Sequence, residues 1–244
     1  MTMFRHRVLE PDPLLLKLPE WHTTWDFGRG EKQALQQFLW ERQNGRCSYC
    51  ETKLVQGKTR IEHFHPRSLY SLDDECVSRL GSEPDPSVLF SLNNLMLCCD
   101  GREGQVPRGD TICDKHKEDA HICAELYNPA TSPFPSLVHV SRSGRVMPAH
   151  YPSSVWTAQE VLDAVLNLND SALERRRNDL YIALLGNASV LAKASEDMGA
   201  DMMAFWNGQA ARMNELAETE PFASVYLSVA AEFRAKAQAV QKNQ

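Results

Sequence analysis

The distribution of cysteines constrains this chain more than any other feature. Cys47-Ser48-Tyr49-Cys50 sets two thiols two residues apart, the spacing with which a tight turn presents two sulfurs to one tetrahedral zinc ion. Cys98, Cys99 and Cys113 follow at a distance, and Cys76 and Cys123 complete a set of seven. The apolar run Leu14 to Leu16 is broken by Lys17 and Pro19, far short of a signal core or a membrane span, so a cytoplasmic, non-membrane protein is expected. In a reducing compartment, clustered cysteines suggest a metal rather than a disulfide framework. A thioredoxin-like redox pair requires a helix directly after the motif, and Glu51 to Gly57 has no such pattern. The second half of a four-cysteine set is then Cys98 or Cys99, together with Cys113. Four thiolates close the coordination sphere, so such a zinc holds the fold and any chemistry lies elsewhere.

Around the cysteines the chain divides by pattern. Residues 31 to 43 carry Leu35, Phe38 and Leu39 at helical spacing and stop at Asn44-Gly45. Residues 66 to 90 and 100 to 112 read as loops. Residues 137 to 147 predict a β-hairpin turning near Ser143-Gly144. From Thr157 the pattern is helical, with Thr157 and Glu160 spaced as a capping box and Ser171 and Glu174 repeating it. This gives an α+β chain with an N-terminal arm and helix (1–43), a cysteine-rich core (44–124), a hairpin connector (125–154) and a helical C-terminal region (155–244).

Two further segments carry reactive side chains. Ile61-Glu62-His63-Phe64 offers an acid and a histidine, which share one face of a strand only where the backbone bends or bulges. Asn93-Asn94-Leu95 leads into Cys98-Cys99, and Asp114-Lys115-His116-Lys117 follows Cys113. The net charge of −6 excludes a global polycation, so a nucleic-acid contact needs a local basic patch. Arg42, Arg46, Lys53, Lys58, Arg60 and Arg67 form one. A rival zinc set of Cys113, His116, His121 and Cys123 orphans the first pair.

The series CSYCE, IEHFHPRS, NNLMLCC and CDKHK resembles HNH endonucleases of the zinc-containing kind. It is most similar to the PtuB-like HNH nucleases of Septu and retron-linked anti-phage systems. Their later LNLN…L…R segment is matched by Leu166-Asn167-Leu168-Asn169, Leu173 and Arg177. The resemblance implies a ββα-metal core with a structural zinc knot. It makes His63 the general base, Glu62 a ligand of a catalytic Mg²⁺ or Mn²⁺, and Asn94 the residue that orients the base. It selects Cys99 over Cys98, although 13 residues separate Cys99 from Cys113 where the family has two. The last catalytic ligand falls on Asp114, with His116 as the alternative. Arg60, Arg67, Lys115 and Lys117 become phosphate contacts. By the same resemblance the substrate is nucleic acid, DNA favoured over RNA, and the helical C-terminal region docks a partner ATPase. The competing function is a zinc-dependent nucleic-acid or protein binding module that does not cut.

Overall fold

A computed structural model describes residues 6–18, 25–26, 28–67, 89–102, 111–151 and 155–242. Most of the two expected loops, at 68–88 and 103–110, lies outside the described residues. After a single helical turn, α1 (Pro13–Leu16), the chain enters α2 (Arg29–Arg42). This helix starts two residues before the expected boundary, because Glu31 reaches back to accept from the Gly28 N–H at 2.7 Å. Leu35 and Leu39 are buried, and the helix stops as expected at Asn44-Gly45, both left-handed at φ 54° and 65°. Its last residues are welded to a strand. Arg42 is buried and donates to the carbonyls of Leu92 (2.7 Å) and Leu95 (2.9 Å), and the Gln43 amide brackets both backbone groups of Leu97.

That strand, β2 (Leu95–Cys99), pairs antiparallel with β1 (Thr59–His63), in register from Thr59 opposite Cys99 to His63 opposite Leu95. Every residue of β2 is buried. One helical turn, α3 (Asp114–Lys117), follows Cys113. A second two-stranded sheet pairs β3 (Val138–Val140) with β4 (Val146–Pro148), the hairpin expected for residues 137 to 147.

The rest is helical: α4 (Val155–Glu160), running into a π-helical turn (Val161–Val165), then α5 (Ser171–Asp197), α6 (Met202–Thr219) and α7 (Ala223–Lys242). Two expected caps are displaced. Thr157 and Glu160 lie inside α4 rather than at its start. The cap of α5 is Asp170, one residue before Ser171, whose carboxylate accepts from the N–H groups of Ala172 and Leu173. Gly144, at φ +87° in the β3–β4 turn, is required by packing: a Cβ there would lie 1.9 Å from the Glu174 carbonyl of α5. Helices α6 and α7 pack along each other, with the Trp206 and Phe233 rings 5.4 Å apart. Among the described residues, no helix is long and apolar enough to cross a membrane.

One turn of chain, residues 44 to 51, holds the ends of both helices. Arg46 is buried and donates to the carbonyls of Ala217, Glu218 and Glu220 at the C-terminal end of α6. Glu51, also buried, accepts from the Ser224 N–H (2.8 Å) and hydroxyl at the N-terminal end of α7. A cation thus meets the negative pole of one helix and an anion the positive pole of the next. Glu51 stands at φ 65°, a backbone strain the cap offsets. Replacing Glu51 by Ala is expected to destabilise the fold by about 2 kcal/mol in urea unfolding, since a buried N–H loses its partner. Glu51→Gly should cost about 1 kcal/mol less, because glycine adopts positive φ freely.

Candidate metal centre and adjoining cleft

The first pair of cysteines sits in a knuckle between Arg46 and Lys53, which form an isolated antiparallel bridge. Inside it the Cys47 N–H donates to Thr52 O (2.9 Å), the Glu51 N–H to Cys47 O (3.1 Å) and the Ser48 N–H to Leu97 O (3.0 Å). The last of these ties the knuckle to β2. Cys99 arrives at the end of β2. Cys113 arrives at φ 59°, and its N–H is held by Leu166 O at 2.9 Å, so the LNLN segment positions the fourth sulfur.

The four sulfurs of Cys47, Cys50, Cys99 and Cys113 all lie within 4.8 Å of one another and are fully buried. Cys47 and Cys113 are 3.8 Å apart and Cys50 and Cys99 3.9 Å. Zinc–sulfur bonds of about 2.3 Å in a tetrahedron give sulfur–sulfur edges of about 3.8 Å, whereas a disulfide requires about 2 Å. The set therefore fits a zinc-like ion and fits no disulfide. Its electrostatics agree. Burial pushes thiols up, yet hydrogen bonds from Cys113, Cys50, Cys98 and Cys99 draw Cys47 well below its ordinary range, while burial and the neighbouring sulfurs push Cys113 well above. Cys47 is drawn toward the thiolate and Cys113 toward the thiol, whose proton a cation would displace.

Cys98, on the preceding residue of β2, is buried and free but outside the set, which leaves Cys99 as the β2 ligand. Cys123 is disulfide-bonded, and no group joining it to Cys113, His116 and His121 occurs among the described residues. The rival zinc set is thereby overturned. Cys76 lies outside the described residues.

Beside the cluster a cleft of about 360 Å³ is lined by Arg60, Glu62, His63, Arg67, Asp114, Lys115 and Lys117. Seven residues singled out in sequence thus share one wall. Of the bend or bulge that would bring Glu62 and His63 together, β1 shows no bulge: it stays in register to its last residue, His63, and both side chains line the same cleft. Glu62 is buried, and its Oε1 accepts from the Tyr49 hydroxyl at 2.8 Å and lies 2.9 Å from Lys117 Nζ. Burial pushes its carboxyl up to about 8; Lys117 opposes this, and a hydrogen bond and like charge from Asp114 reinforce it. Asp114 is in turn ion-paired with Arg60, whose side chain is 52% exposed.

His63 is packed edge-on against Trp25, with ring centroids 4.3 Å apart. Its Nε2 is 3.1 Å from Leu89 O. A carbonyl can only accept, so Nε2 carries the hydrogen and Nδ1 the lone pair. Burial lowers the ring to about 4, which keeps it neutral near pH 7. Asn94 does not line this cleft. Its side chain accepts from the His65 N–H (2.7 Å) and donates to His65 O (3.2 Å), fixing the backbone just past His63.

Two assignments from sequence change. Lys117 was expected on the surface as a phosphate contact, but its side chain is 1% exposed and its ammonium is committed to Glu62 and to His63 O at 3.2 Å. A lysine this deep is tolerated because both partners are built in. His116 was the alternative catalytic ligand. It is exposed, sits 3.2 Å from Thr111 Oγ1 and 3.1 Å from Ala164 O, and lies outside the cleft that Asp114 lines. Sequence reasoning missed Tyr49 and Trp25. Tyr49 had a signal in its place between two metal-spaced cysteines; Trp25 had none.

No family model matches the chain, and no curated protein matches it.

Purified protein is expected to carry one zinc ion per chain by elemental analysis. Cys98→Ala should retain it, and Cys99→Ala should lose it and the cooperative unfolding transition; a zinc-loaded Cys99→Ala would refute the ligand set. The lowered His63 has a second consequence. The unfolded chain binds that proton at about pH 6.5 and the folded one only at about 4, so stability is intact above 6.5 and falls as pH drops toward 4. The loss reaches up to about 3 kcal/mol at the bottom of that window. Urea unfolding of His63→Gln against the parent, at pH 7 and pH 5, should show a smaller acid loss in the variant.

Proposed function

We propose that this chain is a metal-dependent HNH-type endonuclease that hydrolyses nucleic-acid phosphodiesters. The observation that carries the reading is the convergence of Glu62, His63 and Asp114 in one cleft against a four-cysteine cluster. The order β1, β2, α3 supports a ββα-metal core, with the cysteine set as its structural zinc knot. The donor chemistry suits a hard divalent cation. Two carboxyl groups line one cleft, and burial and the nearby Asp114 push Glu62 up, so a hard cation would relieve the crowding of negative charge there. When bound, that ion supplies a Lewis acid for the scissile phosphate and its leaving oxygen.

The protein's own groups do the rest. Neutral His63 accepts the proton of the attacking water at Nδ1, worth roughly 10²- to 10⁴-fold. Leu89 O holds the ring in that tautomer, and Asn94 fixes the backbone that follows it. Arg60, Arg67 and Lys115 line the cleft and contact phosphate oxygens without reading bases. DNA is the favoured substrate, and a partner ATPase docking on the helical C-terminal region, in an anti-phage setting, remains part of the proposal on resemblance alone.

One observation favours the non-cutting alternative: each carboxylate already has a cationic partner, Lys117 for Glu62 and Arg60 for Asp114. The two readings part on catalysis. Plasmid DNA and structured RNA incubated with the protein in Mg²⁺ or Mn²⁺ are expected to be cut, and His63→Ala to cut at least about 100-fold more slowly. Equal cutting by both proteins, or none by either, removes the nuclease reading.

A further inference from the structure

Tyr49 lies between the first two cysteines and Lys117 four residues beyond the last, and both are 2% exposed. Their polar atoms end on the same oxygen. The Tyr49 hydroxyl donates to Glu62 Oε1 at 2.8 Å, and Lys117 Nζ stands 2.9 Å from it. Two buried donors on one carboxylate oxygen fix the rotamer of Glu62, because any other rotamer strands the phenol and takes from the ammonium its counter-ion, leaving it only His63 O. Oε1 is filled by that pair, so the capacity of the carboxyl group toward a further ligand lies with Oε2, in the cleft that Asp114 also lines.

Both donors take their positions from the metal knot. The knuckle bonds from the Ser48 N–H to Leu97 O and from the Glu51 N–H to Cys47 O flank Tyr49. The Lys117 N–H donates to Cys113 O at 2.9 Å, so its backbone is fixed by the turn that carries the fourth sulfur. Asp114 directly follows that sulfur. Three of the four groups around the carboxyl site are thus carried on cysteine-bearing turns, and Glu62 is the residue they meet.

We infer that Tyr49 and Lys117 are positioning residues that aim Glu62 at a divalent cation shared with Asp114, and that through them the cysteine knot sets the affinity of that second site. The inference rests on the cation site of the nuclease reading but not on cutting. Partners that orient a ligating carboxylate typically alter metal affinity 10- to 100-fold.

The test is Mn²⁺ titration of the full, zinc-loaded chain, read as the electron paramagnetic resonance signal of free Mn²⁺, with zinc content measured on every sample. Tyr49→Phe, which removes one oxygen, is expected to keep its zinc and bind Mn²⁺ about 10-fold more weakly. Lys117→Met should weaken binding by up to about 100-fold, with partial rescue in Lys117→Arg. If Lys117→Met does not fold, Tyr49→Phe alone decides. Unchanged Mn²⁺ affinity in Tyr49→Phe overturns the inference, as does loss of zinc from that variant, which would make Tyr49 a builder of the knot only. A parent whose Mn²⁺ binding is the same as that of Glu62→Gln overturns both this inference and the cation site. A parent that binds Mn²⁺ through Glu62 yet leaves nucleic acid uncut removes the nuclease reading alone.

Discussion

Four sulfurs within 4.8 Å of one another, buried and free of disulfides, are the constraint to which the rest of the structure answers. Thiolates packed that closely repel, so the arrangement suits a cation that neutralises them. The sulfurs come from three places: the knuckle after α2, the end of β2 and the turn before α3. Closing them fixes the relative positions of those three segments. The helical C-terminal region is drawn into the same knot, since Leu166 holds Cys113 while Arg46 and Glu51, on either side of the first pair, cap α6 and α7. Arg177 of α5 completes the link. Its guanidinium is buried against the carbonyls of Gly144 and Leu168, the second of them in the segment that also holds Cys113, and burial lowers it to about 10.

What the sequence made legible was local. The CxxC spacing, the helix stop at Asn44-Gly45 and the hairpin at Gly144 each depend on a few adjacent residues, and each is found where expected. The ββα core and the catalytic roles rest on motif resemblance rather than on that local physics. The long-range contacts left no trace in periodicity. Glu51 and Ser224 are separated by 173 positions, and Arg46 and Ala217 by 171. Lys117 was misread for a physical reason: a lysine is almost always solvated, and only a buried carboxylate partner reverses that rule. The cap of α5 falls on Asp170 rather than on Ser171, although Ser171 and Glu174 offer an equally good cap one residue later. A one-residue difference in where a side chain turns back decides between them.

The electrostatics of the cleft separate its two ion pairs. Lys117 and Glu62 are both buried, at 1% and 4% side-chain exposure, so breaking that pair leaves an uncompensated charge in a dry environment. Arg60 and Asp114 face water on the arginine side, at 52%. A pair exposed to that degree contributes on the order of 0–1 kcal/mol. On the proposed reading, a cation entering the cleft would exchange with Arg60 and leave Lys117 in place. Released from Asp114, the half-exposed Arg60 guanidinium would be free for a phosphate, which its planar fork suits better than a single carboxylate oxygen. Arrival of the metal would then supply both the Lewis acid and the freed anion contact, and the chain's acidic balance of −6 would matter less at the cleft than its sign suggests.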